Sequence, residues 1–203
     1  MACLRRGLGC WVLILALSWA GPSPLLAGGP LQLVRDTIDQ LTNILQIPLS
    51  PDGSRTPQRS VLLHRALELG FDFSGMARMS LGSHWERLAA RQNEFVPVFT
   101  AFAERAYLVK IESLKDMKVV YVRERVDRRM AQVDTRVEPP VGEYIPVNYR
   151  LHLVGGEWKI YDVLIGNVSV VENYRAQFQR VLRYASFDNL LKRLQENLPE
   201  RES

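Results

Sequence analysis

The sequence predicts an α+β fold, with helices packed on a curved antiparallel four-stranded sheet. Three observations predict it. Apolar residues recur at three- to four-residue steps from residue 30 to 112, four β-rich runs follow between 119 and 163, and helical spacing returns after 170. Segregation of this kind belongs to α+β domains rather than alternating α/β ones.

The first helix is marked by Leu31, Val34, Ile38, Leu41, Ile44 and Leu45, with Pro30 suited to a first turn and Pro48 and Pro51 closing the segment. Gln58 to Leu69 reads as a second helix, with Val61, Leu62, Ala66 and Leu69 as its apolar side and Gly70 ending it. The Phe- and Met-rich stretch from Phe71 to Gly82 reads as a helix of one to two turns. Ser83 and Glu86 have capping-box spacing, and a long helical pattern through Phe95, Phe99, Phe102, Ala106 and Val109 runs on to Glu112. Pro97 falls inside that pattern and is expected to kink it or begin a new first turn.

The strand runs are Val119 to Val122, Met130 to Val137, Ile145 to Leu153 and Trp158 to Val163. Gly155-Gly156 marks a tight hairpin between the last two. Ile145, Val147, Tyr149, Leu151 and Leu153 alternate with Asn148, Arg150 and His152, so one face is buried and the other is wet. Val171, Tyr174, Phe178, Val181 and Leu182 mark the next helix. Ser186 caps a last one carrying Phe187, Leu190, Leu191, Leu194 and Leu198.

Residues 1–27 read as a cleaved secretory signal peptide, leaving 28–203 as one domain. Arg5 and Arg6 precede an apolar run from Cys10 to Ala20, then Gly21 and Pro22 break it and Ala27 offers a small residue for cleavage. The run has about half of the roughly 20 residues a membrane-spanning helix needs. The leader holds two arginines and no acid, so removing it takes the formal charge from +4 to +2. A near-neutral surface of mixed charge lacks the footprint of a nucleic-acid binder. Cys3 and Cys10 leave with the leader, and with them any disulfide, zinc-thiolate site or cysteine nucleophile.

Catalytic patterns are scarce. His64, His84 and His152 stand at no metal-ligand spacing, and no serine sits in a nucleophile elbow. No metal or cofactor is implied. Asp72 and Asp162 have the most apolar surroundings. Asp72 is read as a helix cap and Asp162 as a strand-end hydrogen-bond partner, with an acid/base role as the rival for each. The surplus is in large apolar side chains, which either fill a core or line a ligand cavity.

Two blocks carry a resemblance. Glu157 to Phe178 contains Trp158-Lys159-Ile160-Tyr161-Asp162-Val163, then Gly166, Val168-Ser169 and Asn173-Tyr174-Arg175-Ala176-Gln177-Phe178. Upstream stand Phe71-Asp72-Phe73, Met76-Ala77-Arg78, Leu81-Gly82 and Trp85. This order resembles the MlaC family of periplasmic phospholipid carriers, also described as toluene-tolerance or ABC-transporter auxiliary proteins. Departures are Asn167 after Gly166, Pro97 within a helix, and Pro139-Pro140 in a hairpin loop.

The resemblance implies a cone like that of nuclear transport factor 2, with acyl chains between sheet and helices and the head group in solvent. It implies a periplasmic monomer that is not an enzyme, carrying phospholipid and needing no cofactor. It also implies shuttling between an outer-membrane lipoprotein complex and an inner-membrane ABC transporter with its substrate-binding ring, which maintains outer-membrane lipid asymmetry. On that reading the inward-facing candidates are Phe73, Met76, Met79, Phe99, Phe102, Tyr107, Val133, Tyr149, Leu151, Tyr161, Val163 and Ile165. Trp158, Asp162, Tyr174 and Arg175 carry the family pattern and read as structural, with Asp162 and Arg175 pairing or capping near the sheet end. The alternatives are a carrier of another lipid such as a hopanoid-associated paralogue, a secreted enzyme on the same fold, and a protein-binding module with a filled core.

Overall fold

The computed structural model describes residues 28–53, 55–112 and 117–196. The expected leader, its two cysteines and Leu198 lie outside the described residues.

Helix α1 (Pro30–Leu45) begins with Pro30 in its first turn and buries Val34, Thr37, Leu41 and Leu45. These four recur at three- and four-residue steps, so they form one face. The Leu31 amide donates to Glu124 Oε1 at 2.7 Å, which sets a carboxylate at the positive end of the helix. Helix α2 (Pro57–Gly70) is capped by Thr56, whose Oγ1 accepts from the Arg59 amide at 3.3 Å.

The buried side of α2 shares only Ala66 with the side expected from the sequence. Leu63, Ala66, Leu67 and Gly70 face inward, while Val61, Leu62 and Leu69 are exposed. Two apolar stripes run along this helix, and close approach selects between them. A Cβ at Gly70 would fall 2.7 Å from Thr37 Oγ1, so only the glycine-bearing face lets α2 lie against α1.

Helix α3 (Phe73–Leu81) is followed by the single turn α4 (His84–Arg87), a 3-10 turn (Ala89–Arg91) and helix α5 (Gln92–Glu112). The continuous helix expected from Ser83 is therefore divided. The break comes at Leu88, with φ −103° and ψ 23°, upstream of Pro97, which sits in the second turn of α5. The capping box is not formed either. Ser83 has helical dihedrals of −65° and −13° and makes no side-chain cap bond, whereas an N-cap residue needs extended backbone.

The sheet is an antiparallel meander in the order β1 (Lys118–Asp127), β2 (Met130–Glu138), β3 (Ile145–Val154), β4 (Glu157–Ile165), β5 (Val168–Ser169). Among the described residues five strands stand where four were expected. The fifth has two residues, too few to show a period. Gly155 (φ 60°) and Gly156 (φ 92°) make the expected two-residue hairpin turn. Register shifts between Tyr121 and Arg123, and between Arg150 and Leu151, are bulges that bend the sheet. Val133, Tyr149 and Val163 lie side by side across β2, β3 and β4, as do Thr135, Val147 and Ile165.

Helices α6 (Val170–Tyr184) and α7 (Phe187–Glu196) complete the fold. Ser169 caps α6 by accepting from the Glu172 amide at 3.0 Å, and Ser186, the cap expected for α7, accepts from the Asn189 amide at 3.2 Å. Phe95, Phe99, Tyr174, Phe178 and Phe187 form the aromatic core where α5, α6 and α7 meet, with centroid separations of 5.7 to 6.2 Å. Helix α3 packs on α5 and α6, while α1 packs on α2 and across the sheet. That division leaves space between α1 and the sheet.

Candidate functional site

The space is a cavity of about 200 Å³ between α1, the end of α5 and the inner face of the sheet. Helix α1 contributes Ile38, Leu41 and Leu45. The sheet contributes Val119, Val137, Val147, Tyr149, Ile160, Val163 and Ile165, and Phe71 and Tyr107 add aromatic walls. The residues bordering it that are also exposed to solvent are Thr42, Lys110 and Ile145, which mark its mouth. Among the described lining residues Lys110 is the charged one, and the rest are almost wholly apolar. Such a slot favours a hydrocarbon occupant, because each methylene withdrawn from water is worth about 0.8 kcal/mol.

Four of the sequence-chosen residues border the cavity: Tyr107, Tyr149, Val163 and Ile165. The other eight do not. Phe73, Met76, Phe99, Val133 and Leu151 are buried in the core, and Met79 and Phe102 pack against it partly exposed. The reason lies in α3, which turns towards α5 and α6, so that only Phe71, just ahead of that helix, reaches the cavity. Tyr161 borders a shallow pocket with Arg125, Gln132 and Arg150 instead. It is the extra residue of the β4 bulge: Arg150 pairs with Asp162 and Leu151 with Ile160, so strict alternation fails there.

The sequence reading missed the contribution of α1. Its stripe was legible, but a stripe that lines a cavity has the same period as one that fills a core. Val147 had a usable signal, since it alternates in phase with Tyr149 on β3.

Both phenols on the cavity wall are held in their protonated form. Burial pushes the Tyr107 and Tyr149 hydroxyls well above their ordinary pKa of 10. The two acids singled out in the sequence hold the fold together outside the cavity. Asp72 caps α3, its Oδ1 accepting from the Gly75 amide at 2.8 Å, and its Oδ2 lies 2.9 Å from His152 Nε2. Asp162 accepts from Ser169 Oγ at 2.7 Å, from the Val171 amide at 3.1 Å and from Arg150 Nη1 at 3.3 Å. Asp162 thus has the pairing and capping role expected of it near the sheet end, with Arg150, opposite it on β3, rather than Arg175 as its cation. The Arg175 guanidinium lies against Gly82 instead. Trp158 packs half-buried against the core, as expected. Among the described residues, no group of three or more His, Cys, Asp and Glu side chains comes together to hold a metal.

No curated protein matches the chain. A solved structure does, titled as a phospholipid-binding protein from Ralstonia solanacearum in complex with a phospholipid. The two share 20% identity and a TM-score of 0.72, over 84% of this chain and 97% of that one, so they share a fold. The model of the MlaC protein family matches residues 35–196, spanning the described helices but for the first turn of α1, and the described strands. The chain belongs to the MlaC family.

Proposed function

We propose that the protein is a phospholipid carrier, holding acyl chains between α1 and the sheet with the head group at the mouth beside Lys110. The observation that carries this reading is the apolar cavity, whose described lining includes no carboxylate or histidine. Membership of the MlaC family and a fold shared with a phospholipid-binding protein support it.

The energetics fit a carrier. A diacyl lipid has tens of methylenes, each worth about 0.8 kcal/mol out of water, so its free concentration in water is negligible. A dry slot offsets that cost, and a slot no better than a bilayer lets the lipid go again. The cavity, at about 200 Å³, is below the range of about 300–1,000 Å³ common for ligand pockets. Loading a diacyl lipid is therefore expected to enlarge the slot. In this reading the protein works in the periplasm, which the expected leader supports, and shuttles between an outer-membrane lipoprotein complex and an inner-membrane ABC transporter, which the family resemblance implies.

Native mass spectrometry of protein purified from its own periplasm, followed by solvent extraction, tests this. The expected result is one or two diacyl lipids per chain, released on denaturation. A protein that is apo and stays apo after exposure to phospholipid vesicles would overturn the reading. An extracted lipid of another class would replace the cargo and leave the carrier.

A further inference from the structure

The outer face of the sheet carries a cluster of arginines at the end away from the cavity mouth. Val133, Tyr149 and Val163 pair across β2, β3 and β4 and point inward, so the next row, Arg125, Gln132, Arg150 and Asp162, points the other way. Arg125 and Arg150 stand two strands apart in that row, with backbones roughly 10 Å apart, and both border one shallow pocket.

The cations here are exposed and the carboxylates that hold them are covered. Arg123 and Arg125 share Asp134, at 3.0 and 3.1 Å. The Asp134 side chain is 13% exposed, and both arginine side chains are more than half exposed. Arg150 gives Nη1 to the buried Asp162, and Arg125 gives Nη2 to Asp134. Their other N–H groups meet no acceptor among the described residues, and an arginine fork suits a second carboxylate. Arg128 and Arg129 in the β1–β2 turn add two exposed cations, and Asp127 on the pocket rim adds one exposed acid. Val126 and Met130 border the same pocket, 53% and 46% exposed. Arginine and methionine beside exposed apolar surface suit a protein interface. The rim acid opposes an anionic membrane and can pair with a cation of a protein.

We propose that this face docks an acidic segment of a partner protein, its carboxylates received by Arg125 and Arg150 and its apolar groups by Val126 and Met130. Met130 borders the pocket, and Val137, seven residues on, pairs with Ile145 at the cavity mouth. Seven strand residues span roughly 23 Å, so a partner held at the pocket leaves the mouth clear. The inference goes beyond the carrier reading and does not rest on it.

The test uses the whole protein and a fluorescein-labelled oligoglutamate peptide, with binding read by fluorescence anisotropy. Wild type is expected to bind the peptide at low salt, and about tenfold less tightly at about 0.3 M salt. Arg125→Gln with Arg150→Gln is expected to weaken binding about tenfold or more. Arg180→Gln with Arg183→Gln removes the same charge from exposed positions on α6 and should change binding less than about twofold. Because Arg150 also holds Asp162, Arg125→Gln alone is the variant that keeps the fold. It should leave the melting temperature unchanged, since its ion pair is exposed, and weaken binding about threefold. No peptide binding by wild type, or equal weakening by the two double variants, would overturn the proposal. Binding of phosphatidylglycerol vesicles through Arg125 and Arg150 without binding of the peptide would overturn it too, and would make the face a membrane contact.

Discussion

Gly82 ends α3 against the guanidinium of Arg175 on α6: a Cβ at Gly82 would fall 2.7 Å from Arg175 Nε. The two residues belong to the two separate sequence blocks that carry the family resemblance, and the fold brings them together. Gly82 also has φ 55° and ψ −125°, a backbone conformation open to glycine and strained for any residue with a Cβ. Gly82→Ala is therefore expected to destabilise the protein by about 1–3 kcal/mol in urea unfolding. Adding Arg175→Ala should return the part due to the collision and leave the part due to the backbone. A double variant no more stable than Gly82→Ala alone would show that the contact contributes nothing.

Asp162 joins β3, β4 and the start of α6 through one carboxylate. It is 2% exposed and takes three donors from Arg150, Ser169 and Val171. Asp162→Ala strands a serine hydroxyl, a helix-start amide and a guanidinium together. The expected loss is about 3 kcal/mol or more, with cooperative unfolding retained. Arg150→Ala should cost less, because the Arg150 side chain is 35% exposed and the carboxylate keeps its other two donors. Equal losses in the two variants would contradict this division.

The sheet was legible where period two was unbroken and one face was wet, as in Ile145 to Leu153 on β3. It was misread at Tyr161, because a bulge inserts a residue without any mark in the local composition. Helix α2 was assigned the wrong face because Val61, Leu62 and Leu69 make as good a stripe as Leu63, Ala66 and Leu67, and only the approach of Gly70 to Thr37 separates them. The caps Asp72, Ser169 and Ser186 act locally; Asp72 and Ser186 were read as caps from the sequence, whereas Ser169 was not. The cavity was only partly legible. Whether Leu41 or Phe99 faces empty space depends on how α1 and α3 dock, and docking leaves no periodic trace.

His64 on α2 contacts Glu104 on α5 at 2.8 Å and Glu68 at 3.3 Å. The hydrogen bond to Glu104 raises the His64 pKa above its ordinary 6.5, while burial raises Glu104 above its ordinary 4.5. Both shifts mean that the folded state binds more protons than the unfolded one across these windows. The His64 contribution is complete below 6.5 and is lost as pH rises through its raised value. Stability is thus expected to fall between about pH 6 and 8, by less than about 1 kcal/mol because the His64 side chain is 52% exposed. Urea unfolding across that range checks it, and His64→Gln should flatten the slope. A wild-type stability that rises through the same window would refute the assignment.

Leu41 separates lipid uptake from folding. It lies on α1, is 3% exposed and borders the cavity, whereas Phe99 is fully buried in the aromatic core away from it. Leu41→Trp adds bulk where there is space to receive it, so stability should change by no more than about 1–2 kcal/mol. The same bulk occupies the slot, and the bound lipid seen by native mass spectrometry should fall several-fold. Phe99→Ala should do the reverse. It opens a hole in the core at a cost of about 3–5 kcal/mol, while the molecules that remain folded keep their lipid. If Leu41→Trp retained its full complement of lipid, the chains would have to lie elsewhere than between α1 and the sheet. If Phe99→Ala emptied the protein as well, uptake would be tracking overall stability, and the cavity would lose its claim to be the site.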